Sequence, residues 1–251
     1  MGVDSTAVLV EFARRGIRPD LILFADACGE KRETYAYQPV INEYLRLKSF
    51  PEVTVVRYVP QNFKNWPPYY TLEQNCLTNG MLPSISFGFQ FKSCSQKWKA
   101  APQHKYLQSW APGVEWWAAG GRVKKVIGYD AGPKDRKRAT YACNGELEDD
   151  RYEYWYRLVE WGWDRKRCAR EIGNEGLPIP PKSSCYFCAA MQPWEVDALE
   201  PGLPSRNRTA RSAGAAQVSN HQRAVGARLQ EATRLDDRVH PFQGPAANRR
   251  E

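Results

Sequence analysis

Long apolar runs are missing from this chain. No stretch of about 18 consecutive apolar residues occurs and mean hydropathy is −0.64, which excludes an ordinary transmembrane helix. No basic-then-apolar segment opens the sequence, so no secretory leader is read and a cytoplasmic location is expected. Histidine is scarce. His104, His221 and His240 are isolated, and no Ser/His/Asp or His/Cys arrangement can be built from them, which argues against a hydrolytic triad. The seven cysteines are an odd number, so reduced thiols or metal ligands are expected before a complete disulfide framework. No internal repeat is visible.

Residues 201–251 lack aromatics. Only Phe242 occurs there, although aromatics make up 12% of the chain. The stretch holds nine Arg, no Lys and four acidic residues (Glu231, Asp236, Asp237, Glu251), and so supplies five of the net +8 charges. It can bury little apolar area and reads as disordered, with at most a short helix over 217–233. Either it is an arginine arm for nucleic-acid phosphates, or it is a solvated tail. The missing aromatics, which would stack bases, favour the second.

What is present is ordinary globular composition: 251 residues, 42% hydrophobic and 25% charged. Ala7, Val8, Val10, Phe12 and Ala13 give an apolar face that predicts a helix over 6–15. Asp4 or Ser5 would cap it and Gly16 would stop it. The continuous apolar run at 21–25 predicts a strand buried on both faces. Tyr37, Val40, Ile41, Tyr44 and Leu45 place a second helix over 33–47, and the β-branched run at 53–59 is a strand. This alternation implies an α/β fold with a parallel sheet and helical crossovers. Further along, 62–91 reads as a long functional loop, 96–110 as a helix and 123–129 as a strand followed by a polar turn at 130–138. Residues 164–172 read as a short helix, and 177–188 as a Pro-rich loop ending on a Cys pair. Tyr152, Tyr154, Trp155, Tyr156, Trp161 and Trp163 read as packing material rather than a base-stacking surface.

Gly2-Val3-Asp4-Ser5-Thr6 directly precedes the first helix. A glycine turn, hydroxyls and the positive end of a helix suit a phosphate, and equally suit a plain capped helix start. Two other turns point the same way. Phe24-Ala25-Asp26-Ala27-Cys28-Gly29-Glu30 lies at the carboxyl end of a buried strand, where open α/β sheets bind ligands. Ile127-Gly128-Tyr129-Asp130, followed by Arg136 and Arg138, puts a glycine and positive charge at the end of another strand.

Taken in order, these segments resemble the PP-loop (adenine nucleotide alpha hydrolase-like) superfamily, and within it the phosphoadenosine phosphosulfate (PAPS) reductase-like family. Gly2 to Thr6 resembles the end of its Ser-Gly-Gly-x-Asp-Ser pyrophosphate loop. Phe24-Ala25-Asp26 with Glu33-Thr34-Tyr35 resembles its Asp-Thr-Gly and Pro-Glu-Thr-Tyr region, and Gly128-Tyr129 with Arg136 and Arg138 its substrate turn. Cys94 to Lys99 and Pro181 to Cys188 are similar to segments of its phage and bacterial members. The resemblance covers roughly 2–198. It implies a Rossmann-like three-layer domain over 1–200 that binds ATP or an adenylyl-sulfate-type nucleotide, with adenine against the strand at Leu23 to Asp26. Gly2, Val3, Ser5 and Thr6 would hold phosphate, and Asp4 would sit near Mg2+ or the pyrophosphate. Lys99, Arg136 and Arg138 would neutralise the phosphate or sulfate end.

The family places a central strand and Ser-Gly-Gly ahead of this motif, whereas here Met1-Gly2 stand first. A strand of about five buried side chains is worth roughly 1.5–3 kcal/mol per side chain, against a total stability of about 5–15 kcal/mol. Either the true start lies upstream, which is the favoured expectation, or the chain is a fragment with weakened folding and an incomplete phosphate loop.

Cys185-x-x-Cys188 has the spacing that lets two thiolates share a metal. Cys76 and Cys94 could complete a four-thiol site for zinc or an iron–sulfur cluster, or a three-thiol cluster with an open position; the alternative is a pair of half-buried thiols in a Pro-rich loop. Cys28, Cys143 and Cys168 read as small apolar residues. Cysteine placement also bears on the reaction. The thioredoxin-linked reductases of the family use a Cys near the C-terminus, and none follows Cys188. The cluster-bearing reductases use adjacent cysteines, and Ser95 follows Cys94. The leading expectation is an ATP-cleaving adenylating or sulfur-transfer enzyme with an unnamed acceptor or sulfur donor, as monomer or homodimer. The alternatives are a reductase of PAPS or adenylyl sulfate that makes sulfite, and a non-catalytic metal-containing module that binds nucleic acid.

Overall fold

A computed structural model describes residues 1–83, 92–146 and 149–199, with only the backbone for 141–146. The tail expected over 201–251, its helix at 217–233 and the side chain of Cys143 lie outside that description. The first helix, α1 (Val3–Arg14), starts three residues earlier than the apolar pattern predicts, with Gly2 as its N-cap. Val3 and every residue from Thr6 to Phe12 are buried, so the helix is enclosed nearly all round rather than amphipathic. Strand β1 (Ile22–Asp26) follows, then α2 (Arg32–Leu47) and β2 (Val53–Arg57). Helix α2 turns Thr34, Tyr37, Ile41, Tyr44 and Leu45 inward.

β1 and β2 pair in parallel, Ile22 opposite Val53 and Asp26 opposite Arg57. A parallel pair needs a crossover, and α2 supplies it. The second pair is built the same way. β3 (Val123–Val126) and β4 (Tyr152–Trp155) are parallel, with α6 (Pro133–Glu146) between them. The fold is therefore α/β with parallel strands, as the alternation implies. Among the described residues the strands form two separate two-stranded sheets. Only β1 is buried along most of its length; β2 and β3 are mostly half-exposed or exposed. The remaining helices are α3 (Leu72–Asn79), α4 (Ala101–Ser109), α5 (Ala111–Ala118), α7 (Arg157–Glu160), α8 (Arg165–Asn174) and α9 (Pro193–Asp197). A π-helical turn over Ser95–Ala100 runs directly into α4.

Several expectations are corrected. The loop expected over 62–91 contains α3, started by a reciprocal capping box between Thr71 and Gln74. The polar turn expected over 130–138 holds only for 130–132, where Gly132 N donates to Asp130 Oδ1; from Pro133, in the N1 position that proline favours, the chain is α6. The aromatic cluster does pack as expected at Tyr152, Tyr156 and Trp163, which are buried, and β4 is drawn from it.

Two apolar cores result. The first joins α1, β1, α2, α7 and α8 through Val8, Phe12, Phe24, Ile41, Leu158 and Ile172. The second lies beyond the carboxyl end of β1 and joins Tyr69, Leu72, Trp98, Tyr186, Phe187 and Met191. All four cysteines singled out as metal ligands belong to it or pack against it. The Pro-rich loop crosses to β1 here: Tyr186 N donates to Gly29 O and Lys31 N to Ser184 O. Among the described residues no helix is long and apolar enough to cross a membrane.

Candidate functional site

Two of the three turns named from sequence meet, and the third lies within electrostatic reach of the first. A Cβ built on Gly128 would lie 3.3 Å from the Ser5 amide nitrogen, so the end of β3 rests directly on the first turn of α1. A Cβ on Gly2 would lie 3.0 Å from Ser183 Oγ, which ties the same turn to the Pro-rich loop. The Met1 amine, its pKa lowered by burial, sits within electrostatic reach of Glu30 and Lys99, past the end of β1. Glycine is needed at 128 for this close approach rather than for a positive φ.

Within the turn, residues differ in what they can offer. Ser5 is exposed. Val3 is corrected: its side chain is in the first core, leaving only its backbone amide for a ligand. Thr6 is corrected too. It is fully buried and its hydroxyl donates to Gly2 O at 3.0 Å, so it closes the helix start instead of binding phosphate. Asp4 and Ser5 lie inside the first helical turn and do not cap it.

Asp4 forms the centre of a carboxylate cluster. Its oxygens and those of Asp130 and Asp135 lie within 4.8 Å of one another. Asp4 Oδ2 accepts from Arg165 Nη1 at 3.0 Å, while Oδ1 is buried without a partner. Burial, opposed by Arg165 and aided by Asp130 and Asp135, pushes the Asp4 pKa up to about 6. Three carboxylates with one orphaned buried oxygen are a donor set that suits a hard divalent cation such as Mg2+. Asp130 is legible in the sequence as part of the glycine turn. Arg165 gives no sequence signal, since it lies far along the chain on α8.

The other nucleotide-site candidates divide. Phe24 is corrected to a core residue, 9% exposed and packed in the first cluster. Asp26 is 2% exposed and saturated: Oδ1 accepts from Tyr35 Oη and Cys28 N, both at 2.7 Å, and Oδ2 from Arg57 Nε at 3.0 Å. It therefore shapes the turn at the end of β1 and has no free edge for a ligand. Burial and the bond to Asp26 raise the Tyr35 pKa. Cys28, expected as a small apolar residue, lies in the left-handed region at φ 55°, half-buried, with its thiol against Asp26. Tyr129 stacks on Tyr156, with centroids 5.7 Å apart, and carries the Arg138 guanidinium over its face at 4.5 Å. Arg138 is further held by Asp135 at 3.0 Å, while Arg136 on the same helix is exposed.

Lys99 goes elsewhere. Its ammonium pairs with the fully buried side chain of Glu30 at 2.5 Å. Burial opposes that charge, but Glu30 and the thiols of Cys185 and Cys94 hold its pKa above the ordinary value. It thus stands between the end of β1 and the cysteines, apart from the Arg138–Asp135 pair.

The four thiols are neighbours in the second core. Cys94 lies close enough to Cys76, Cys185 and Cys188 for their charges to interact. Burial, with Cys94 second, pushes the Cys76 thiol up to about 12, and burial likewise raises Cys94 and Cys185. No disulfide joins any of these four, and a small apolar cavity of about 30 Å³ opens beside Cys94, Cys185 and Cys188. Among the described residues, no three Sγ atoms lie mutually within 4.8 Å. One tetrahedral zinc with bonds of about 2.3 Å would draw its thiolates to roughly 3.8 Å. The donors suit a soft metal in kind but stand wider than a single zinc takes. Cys168, fully buried in the first core, is the small apolar residue expected.

Comparison of the chain with protein-family models, with curated proteins and with solved structures finds no match.

Proposed function

We propose that the chain binds an adenine nucleotide together with a divalent cation where the first turn of α1 meets the Gly128 turn, on a Rossmann-like fold of the PP-loop type. The observation that carries this reading is the seating of Gly128 on the Ser5 amide. It sets a glycine turn, the positive end of a buried helix and three carboxylates around one point. The first-turn amides of α1 have no partners within the helix and can receive phosphate oxygens. The exposed hydroxyl of Ser5 and the guanidinium of Arg136 add donors. Phosphate beside three carboxylates is repelled unless a cation intervenes. Asp4, Asp130 and Asp135 would hold Mg2+, which neutralises phosphate charge when bound.

The reaction proposed is adenylyl transfer. An acceptor attacks the α-phosphate of ATP, the bond to the β,γ-pyrophosphate breaks, and pyrophosphate leaves with the charge. The thiol core is proposed to hold an iron–sulfur cluster through Cys76, Cys94, Cys185 and Cys188, because its donors are spread more widely than one zinc requires. Such a cluster supplies sulfide or electrons when bound, which would couple adenylation to sulfur transfer.

Release of pyrophosphate from ATP and Mg2+ tests the reading. Asp4→Ala is expected to lose turnover at least about 100-fold, the loss of about 2.7 kcal/mol of transition-state stabilisation, while its circular dichroism spectrum is unchanged. Full turnover in that variant would falsify the assignment. Sulfite release from PAPS, with no pyrophosphate from ATP, would replace it with the reductase.

A further inference from the structure

We propose that the groove at the carboxyl end of β2, with the aromatic loop that leaves it, docks single-stranded nucleic acid. The groove holds about 340 Å³ and is lined by Arg57, Tyr58, Gln61, Asn62 and Lys105, among others. That is the size range of small-ligand clefts. Among the described residues no carboxylate lines it. Arg57 and Lys105 line it, Lys64 and Lys97 lie on the two segments that build it, 57–72 and 92–114, and those segments hold no Asp or Glu; Lys92 and Lys99 of the same segments face the thiol core instead. Asp26 is buried beneath and bonded to Arg57, so it orients that guanidinium; Lys97 lies over the Tyr58 ring. The groove is therefore positive and fits an anionic chain.

The loop supplies the flat surfaces. Trp66 is 84% exposed and Tyr70 is 58% exposed. Phe63 packs edge-on against the buried Tyr69 at 5.1 Å and against Tyr70 at 5.6 Å. Asn65 Nδ2 donates to Asn79 Oδ1 at 3.0 Å, and Tyr70 N donates to Gln74 Oε1 at 2.8 Å. The loop is pinned to α3 while its large rings face water. Exposed rings on a loop that continues directly from a positive groove match a strand whose phosphates alternate with unpaired bases. An acidic peptide would use the cations and leave the rings idle. A duplex would hide the base faces. This surface shares no residue with the carboxylate cluster, and the inference stands without the nucleotide reading.

The test is fluorescence anisotropy of a labelled oligothymidylate of about 16 nucleotides, the upper site size of single-strand folds. The full chain is titrated without ATP, against a duplex of equal length as control. The single strand is expected to bind more tightly than the duplex. Trp66→Ala should weaken it roughly 5- to 140-fold, since stacking is worth about 1–3 kcal/mol per base and about 1.4 kcal/mol is tenfold. Lys105→Ala should flatten the slope of log affinity against log salt by about 0.7. Both positions are exposed, so unchanged melting of each variant confirms intact folding. Equal binding of single strand and duplex, untouched by both substitutions, would assign the affinity to the arginines of 201–251 and overturn the proposal. So would absence of binding, or competition by an acidic peptide that Trp66→Ala does not alter. ATP turnover measured without oligonucleotide reports separately on the nucleotide reading.

Discussion

Replacing Asp4 by Asn should make the protein more stable and inactive at once. The ionised carboxylate is held where burial disfavours it and Asp130 and Asp135 repel it, and its pKa rises from 3.8 to about 6. At about 1.36 kcal/mol per pH unit, ionisation in the folded state costs about 3 kcal/mol. The sign follows from proton counts. Between about pH 4 and pH 6 the folded chain keeps a proton that the unfolded chain releases, so this group's contribution falls as pH rises and the full penalty applies above about pH 6. Asn removes the charge and keeps the shape. The attraction of Arg165, whose side chain is 46% exposed, is already contained in that pKa. The gain at neutral pH is about 3 kcal/mol, or roughly 6–12 °C in melting temperature for a chain of this size. Thermal melts followed by circular dichroism at about pH 5 and pH 7 check it. Most of the penalty is already present at the lower pH, so the wild-type chain should lose about 1 kcal/mol more than Asp4→Asn between the two. Mg2+ should raise the melting temperature of the wild type but not that of Asp4→Asn. A variant that melts below the wild type at neutral pH, or an equal Mg2+ response in both, refutes the reasoning.

Three other outcomes follow from the same geometry. Gly128→Val puts methyl groups beyond a Cβ already 3.3 Å from Ser5 N, and isothermal titration should show nucleotide binding at least about tenfold weaker. Asp26→Ala strands the Tyr35 hydroxyl and the Cys28 amide, and should cost about 2–5 kcal/mol in urea unfolding. Cys188→Ser should lose bound iron in metal analysis of anaerobically purified protein, together with any absorbance near about 400 nm.

The first half of the fold is legible because its signals are local. The apolar runs in α1, β1 and α2 decide both element and burial within a short window. Helix α6 is not, because Lys134, Asp135, Arg136, Lys137 and Arg138 offer no apolar period to read; Pro133 is its one mark. Helix α3 hides inside a Pro- and Asn-rich stretch, although Thr71 and Gln74 carry its capping box. At the site, the backbone pattern names the right turns but not what each side chain does. Thr6, Val3 and Phe24 face the core because of helix phase and strand pleat, which a motif does not encode. Arg165 reaches Asp4 only through the packing of α8 on α1.

The two ladders share no hydrogen-bonded strand among the described residues, so the molecule has a seam. A two-stranded ladder is weak alone and leans on its own crossover helix. The β3–β4 side packs Val126 against the first core but keeps its strands half-exposed, which makes it the side that loosens first. Ser5 belongs to one side of that seam and Gly128 to the other. A ligand gripped by both would act as a rivet, and its departure would free one half of the molecule to breathe.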